Sequence, residues 1–228
     1  MHAMILAAGR GERMRPLTDR CPKPLLHAGG RALIEWHLAR LAGAGFRRVV
    51  VNHAHLGAMI EQALGDGSRW GLSIAYSREP QALETAGGIA NAMPLLGDGH
   101  FLVVNADIWC DFDFGRARTI AAQMRAASLL AWCVLVDNPP QHPGGDFGIA
   151  SGRLTAEGSP RYTFSGIGVY APSLFDGIAR GSKAPLAPLL REAIRRRRAG
   201  AERHPGRWVD VGTPQRLAEL DAQLLSEV

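Results

Sequence analysis

Nowhere in the 228 residues do about 18 apolar residues run together, so no stretch is long enough to cross a membrane as a helix. The opening residues also lack the order of a basic region, a long apolar region and a small-residue cleavage site, and a cytoplasmic location is expected. Cysteine is scarce: Cys21, Cys110 and Cys133 lie far apart, with neither zinc-ligand spacing nor a pairing framework. Disulfides are therefore not expected. The formal net charge of +5 comes partly from "REAIRRRRAG" (191–200), but no aromatic side chain interleaves with that run. It reads instead as an amphipathic helix with Leu189, Leu190 and Ile194 inward and the arginines in water, so no nucleic-acid partner is expected.

Two phosphate-binding signatures are missing as well. No Gly-Lys-Ser or Gly-Lys-Thr follows a glycine run, which excludes the Walker loop. After Gly9 and Gly11 a dinucleotide loop needs glycine or alanine at position 14, where Met14 stands, and an acidic residue closing the second strand, where Asn52 and His53 stand. Met14 and the missing acidic residue argue against a nicotinamide-dependent oxidoreductase.

What is present alternates regularly. "AMILAA" (3–8), "FRRVVVN" (46–52), "LSIAYS" (72–77), "FLVVN" (101–105) and "LLAWCVLV" (129–136) read as strands. Between them, residues 31–45, 55–64, 85–93 and 115–128 read as helices. Such alternation with short connections predicts an α/β fold with a mostly parallel sheet and helices on both faces. After Asp137 the texture changes to short alternating segments and turn residues, which predict hairpins. Helices and a strand near "RWVDVG" close the chain, with no linker that would split it.

Ligands of open parallel sheets bind beyond the carboxyl ends of the strands, which is where "AAGRGERMRP" (7–16) falls. There Gly9 and Gly11 let the backbone turn its N–H groups toward an anion, and Arg10, Arg13 and Arg15 add charge. Together they point to more than one phosphate. Lys23, fixed between Pro22 and Pro24, adds a restrained cation. Asp107 follows the strand 101–105, and Asp210 precedes a helix that Thr213 and Pro214 can start. Hard oxygen ligands with substrate phosphates suit Mg²⁺, although an aspartate after a strand also serves as a helix cap. His53 and His55 project to opposite sides of an extended chain, which favours local polar roles over a metal. His37 sits on an apolar stripe, and Trp109 either packs or touches a ligand.

Taken in order, "LAAGRGERMRPLT", "PKPL", "LETAGG", "NADIW" and "WVDVGT" resemble the sugar-1-phosphate nucleotidyltransferase family over essentially the whole chain. The resemblance implies a Rossmann-like sheet over about 1–136, a smaller hairpin-containing, sugar-facing lobe over about 137–205 and a closing segment over about 206–228. It implies transfer of a nucleotidyl group from a nucleoside triphosphate to a sugar 1-phosphate, with Mg²⁺ as cofactor; no obligatory protein partner is inferred. "VNHAHLG", "LVDNP" and "FSGIGVY" resemble most a uridylyltransferase branch serving peptidoglycan recycling, so UTP is favoured over guanylyl or thymidylyl donors.

By the same resemblance, Ala8, Gly9 and Gly11 hold the nucleotide, and Arg13 and Lys23 neutralise its phosphates. Asp107 and Asp210 hold the metal. Glu84, Thr85 and Gly87 meet base and ribose, with Gly87 permitting close approach. Asn105, Asp146, Gly148 and Ser165 contact the sugar. One departure stands out: the Glu-Lys-Pro segment that many relatives carry in the sugar lobe is missing, which leaves Arg161 as a candidate for its cation.

Overall fold

The first strand, β1 (Ala3–Leu6), is an unbroken apolar tetrapeptide, the pattern of a strand covered on both faces. The computed structural model, which describes residues 1–227, places it inside a nine-stranded sheet. A long loop and the small hairpin of β2 (His27–Ala28) and β3 (Arg31–Ala32) lead to α1 (Leu33–Gly43). Leu33, Ile34, His37, Leu38 and Leu41 form its buried face. Gly45, at φ +77°, ends the helix, and the amide of Phe46 donates to the Leu41 carbonyl at 3.0 Å. Phe46 thus becomes a buried anchor of the helix stop, and β4 begins two residues later than the sequence suggests (Arg48–His53).

The chain continues through α2 (Gly57–Leu64), β5 (Ser73–Arg78), α3 (Glu84–Leu96) and β6 (Phe101–Asn105). Strand order β5–β4–β1–β6 is parallel throughout, with Leu6 level with Asn52 on one side and Asn105 on the other. From β1 the chain winds outward to β4 and β5, then crosses back to β6. The reversal between β1 and β6 opens a crevice at their carboxyl ends.

After the short strand β7 (Ile108–Cys110) come α4 (Arg116–Ala126), β8 (Ala131–Val136), β9 (Phe147–Ala150), β10 (Arg153–Thr155) and β11 (Arg161–Tyr170). Here the expected mostly parallel sheet becomes mixed. β9 and β10 are joined only by Ser151 and Gly152, both at positive φ, a turn far too short for a parallel crossover. β11 runs antiparallel between β6 and β8, with a bulge between Phe164 and Ile167. After α5 (Leu186–Arg195), β12 (Ala199–Arg203) returns parallel to β8. β9 also pairs with the start of β11, so the second half curls back on itself as a continuation of the main sheet.

β13 (Trp208–Asp210) and α6 (Pro214–Leu225) complete the chain. Thr213 caps α6 through its hydroxyl, with Pro214 at the first helical position, as the sequence indicates. Apolar side chains fill one core between the sheet and α1, α2 and α4, and a second beneath α3 and α5. A third, smaller core joins Met14, Leu33 and Trp109 to Val211, Leu220 and Leu224. Met14, the residue that breaks the dinucleotide fingerprint, is fully buried there and tethers the arginine-bearing loop to α6.

Candidate active site

At the crevice between β1 and β6 lies a cleft of about 460 Å³, walled by Ala8, Gly9, Gly11, Arg13, Lys23, Glu84, Thr85, Asn105 and Asp107 among others. Those side chains come from segments up to about a hundred residues apart. The loop after β1 is shaped by Gly11 at φ +69°, whose carbonyl accepts from the Thr18 hydroxyl at 2.9 Å. A Cβ at Gly11 would stand 3.0 Å from Thr18 Cγ2 and 3.2 Å from Lys23 Cβ, so the loop packs directly on the lysine stem. At Gly9 an added Cβ would meet nothing within 4 Å. The protein itself does not require glycine there, which leaves room for a ligand.

Lys23 opens a single 3₁₀ turn (Lys23–Leu25) started by Pro22 and reinforced by Pro24. Its stem is buried, and its Nζ donates to Asp107 Oδ2 at 2.6 Å; the Lys23 side chain is 8% exposed and that of Asp107 39%. A fixed cation thus sits against a half-open carboxylate at the end of β6. Asp210 forms a similar pair, accepting from Arg216 Nη1 at 2.5 Å.

The two aspartates meet through an element that the sequence does not advertise. β7 and β13 form a two-stranded antiparallel sheet with Asp210 opposite Ile108, and the Val211 amide donates to the Asp107 carbonyl at 2.9 Å. Both aspartates consequently line one adjoining pocket of about 270 Å³, together with Asn105 and Asp146. Two hard carboxylates beside a cation-lined cleft fit a divalent ion whose remaining ligands are phosphate and water oxygens. Gly212 completes the junction: a Cβ there would come within 3.1 Å of Arg216 Nη2, Arg13 Nη2 and Asp210 Oδ1.

Some residues implicated by the sequence have other work. Gly87 does allow a close approach, but to protein: its Cβ would collide with the Ser182 carbonyl, and its amide donates to Ala184 O at 3.0 Å. Gly148 makes room for Thr155 within the β9–β10 hairpin and is absent from the walls of the cleft and of the pockets beside it. The Ser165 side chain is fully buried, donating to Val134 O at 2.7 Å and accepting from the Ile167 amide at 3.1 Å. Its hydroxyl stabilises the β11 bulge, while the residue lines the pocket that holds Asp107 and Asp210. Arg161 reaches a neighbouring pocket of about 660 Å³, yet its guanidinium already donates to the carbonyls of Ala156, Asp146 and Gly145.

Residues that the sequence reading passed over also shape the cleft. The Ala7 amide donates to Asn52 Oδ1 at 2.9 Å, Asn52 Nδ2 donates to Glu79 Oε1 at 2.7 Å, and the Leu83 amide donates to Glu79 Oε2 at 2.9 Å. This chain ties the glycine loop to the start of α3, where Glu84 holds φ +62°. Burial pushes the Glu79 carboxyl up from its ordinary range. The one available signal was Asn52 standing where a dinucleotide fold would place an acid.

The ambiguous residues resolve simply. His53 pairs with Glu61 at 2.6 Å and His55 with the Thr18 carbonyl at 3.0 Å, so they share no ligand. Trp109 is buried between Arg40 and Arg207 and meets Trp36 edge-on, as packing. His37 lies in the core, where burial lowers its pKa to about 4. Outside the cleft, Cys110, Asp111 and His204 cluster, but burial lifts the Cys110 thiol to about 11 and His204 already bonds Asp111. No helix among the described residues is long and apolar enough to cross a membrane.

A glycine loop and two cation–carboxylate pairs stand at the switch point of an α/β sheet, an arrangement whose charge and open backbone suit phosphate chains. The Nucleotidyl transferase family matches residues 2–227, and the chain belongs to it, as a sugar-1-phosphate nucleotidyltransferase. It is 55% identical to N-acetylmuramate alpha-1-phosphate uridylyltransferase of Neisseria meningitidis serogroup B over 97% of both chains. The enzyme of the same name from Caulobacter vibrioides is 33% identical over 97% of this chain and 96% of its own. Among solved structures, UDP-glucose pyrophosphorylase complexed with UDP-glucose superposes with a TM-score of 0.77 at 17% identity, covering 100% of this chain and 99% of its own, which speaks to the fold alone.

Proposed function

We propose that this chain transfers a uridylyl group from UTP to N-acetylmuramate α-1-phosphate, releasing pyrophosphate and forming UDP-N-acetylmuramate for peptidoglycan recycling. The observation that carries the nucleotidyl chemistry is the Lys23–Asp107 pair, held at 2.6 Å at the end of β6 beside the glycine loop of β1. The choice of base and sugar rests on the likeness to the Neisseria enzyme over nearly the whole of both chains. A cytoplasmic site of action fits its three free cysteines and its substrates.

A sugar 1-phosphate is already ionised at neutral pH, so its oxygen attacks the α-phosphorus without a general base. The protein's task is alignment and charge neutralisation in an in-line displacement. The backbone of Ala8 to Gly11 cradles the phosphate chain, and Arg13 and Lys23 offset the charge that passes to the leaving pyrophosphate. Glu84 and Thr85 face the base and ribose, while Asn105 and Asp146 face the sugar. Asp107 and Asp210 would hold Mg²⁺, which when bound screens the phosphate charges from one another.

The test is pyrophosphate release with Mg²⁺ across the four nucleoside triphosphates, each with the α-1-phosphates of N-acetylmuramate, N-acetylglucosamine, glucose and mannose. Turnover confined to UTP with the muramate is expected. A different productive pair would replace the substrate assignment, and silence with every pair would remove the activity.

A further inference from the structure

The pocket of about 660 Å³ that adjoins the nucleotide cleft shares Glu84, Thr85 and Asn105 with it and includes Asp146, so it offers space into which an acceptor sugar can extend. Its walls are chemically uneven. Phe147, Phe164, Leu186 and Leu190 give an apolar floor, and two arginines, Arg161 and Arg191, stand at its edge. Arg161 is committed to three backbone carbonyls. Among the described residues, no hydrogen bond or ion pair engages the Arg191 guanidinium, although Arg195 and Arg196 on the same helix are both paired with Glu192.

Helix geometry explains why Arg191 differs from its neighbours. Ala187, Leu190 and Arg191 are spaced i, i+3, i+4 and share the face of α5 that lines the pocket. No side chain caps the first turn of α5, and Pro185, Leu186 and Ala187 line the same cavity, so the positive end of the helix dipole adds to its potential. Of the two carboxylates that line the pocket, Asp146 is already occupied by the Phe164 amide at 2.8 Å and by His142 at 3.1 Å, and Glu84 belongs to the wall shared with the nucleotide cleft. An exposed cation, an apolar floor and a saturated anion together suit a sugar that carries both a small apolar group and a negative charge remote from its phosphate.

We infer that Arg191 is a specificity-determining residue that binds the carboxylate of an acidic ether substituent on the acceptor sugar, with the apolar floor taking that substituent's methyl group. The inference rests on the proposed muramate reading, because N-acetylglucosamine differs from N-acetylmuramate by lacking the lactyl ether.

The experiment compares wild type, Arg191→Gln and Arg191→Lys in UTP-dependent pyrophosphate release with the 1-phosphates of N-acetylmuramate and N-acetylglucosamine. For Arg191→Gln the KM for the muramate should rise by roughly 10- to 100-fold, the loss expected for one charge-assisted bond, with kcat within a few-fold of wild type. The preference for muramate over glucosamine should fall by the same factor, and Arg191→Lys should recover part of it. An equal loss with both sugars would mean that Arg191 holds the shared phosphate, and an unchanged muramate preference would mean that it holds nothing; either overturns the inference while leaving the proposed activity intact. A wild-type enzyme that ignores the muramate phosphate but uses a neutral sugar would overturn both.

Discussion

Replacing Lys23 by methionine separates charge from packing at the centre of the cleft. The lysine stem is buried against Gly11 and would be largely preserved by Met, while the ammonium, 2.6 Å from Asp107, would be lost. Because that ammonium is already fixed in the free protein, it can meet developing phosphate charge without reorganising. Removing one such preorganised group elsewhere costs roughly 10²- to 10³-fold in kcat, about 3–4 kcal/mol. The stability cost should be far smaller. Asp107 is 39% exposed and can rehydrate when its partner goes, so the loss is expected at about 1 kcal/mol or less, a few degrees in melting temperature. Pyrophosphate release at saturating substrates, with a thermal melt as control, measures both. Equal falls in kcat and kcat/KM mark an interaction made only in the transition state. A Lys23→Met protein that folds normally and retains more than a tenth of wild-type turnover would refute the role.

Three further outcomes follow from the same geometry. Gly9→Ala should leave folding unchanged within about 0.5 kcal/mol yet weaken nucleotide binding, since its Cβ meets no protein atom. Gly11→Ala should instead destabilise by about 1–3 kcal/mol from its left-handed φ and its 3.0 Å contact with Thr18; equal melting curves for the pair would contradict this division. Asp107→Asn and Asp210→Asn should each raise the Mg²⁺ concentration for half-maximal rate by more than about tenfold, and an unaltered Mg²⁺ titration in both would place the metal elsewhere. His37, held near pKa 4 by burial against 6.5 when unfolded, takes up its proton first in the unfolded chain. The shift therefore leaves stability independent of this proton above pH 6.5, and stability should fall by up to about 3 kcal/mol as pH drops toward 4. Urea unfolding of His37→Leu should lack that one-proton slope.

The parallel half of the fold was legible because β1, β4 and β6 carry unbroken apolar runs and helices such as α1 carry a single buried stripe. The curled second half was less so. β12, "AGAER", has the composition of a loop and becomes a strand only because β8 and β10 flank it, while β7 is three residues long and exists only as the partner of β13. Such pairings are long-range consequences of packing, and local pattern does not report them.

The site divides along the same line. Gly11, Lys23 and Asp107 could be found because each stands at a strand end or between prolines, where backbone geometry marks it. Gly87, Gly148 and Ser165 look the same in one dimension, but each serves the protein: Gly87 admits the 182–184 backbone, Gly148 admits Thr155, and Ser165 fastens a bulge. A glycine or serine in a motif tells only that something comes close; the fold decides whether that something is ligand or chain. Charge follows a different rule. In the free protein Lys23 lies against Asp107 and Arg216 against Asp210, whereas Arg13 lines the cleft without an ion partner among the described residues. Pairs of this kind keep partly buried charge tolerable in the free protein, and under the proposed function the Lys23 pair holds its ammonium where phosphate oxygens would need it. The cleft is thus preorganised by its own opposite charges.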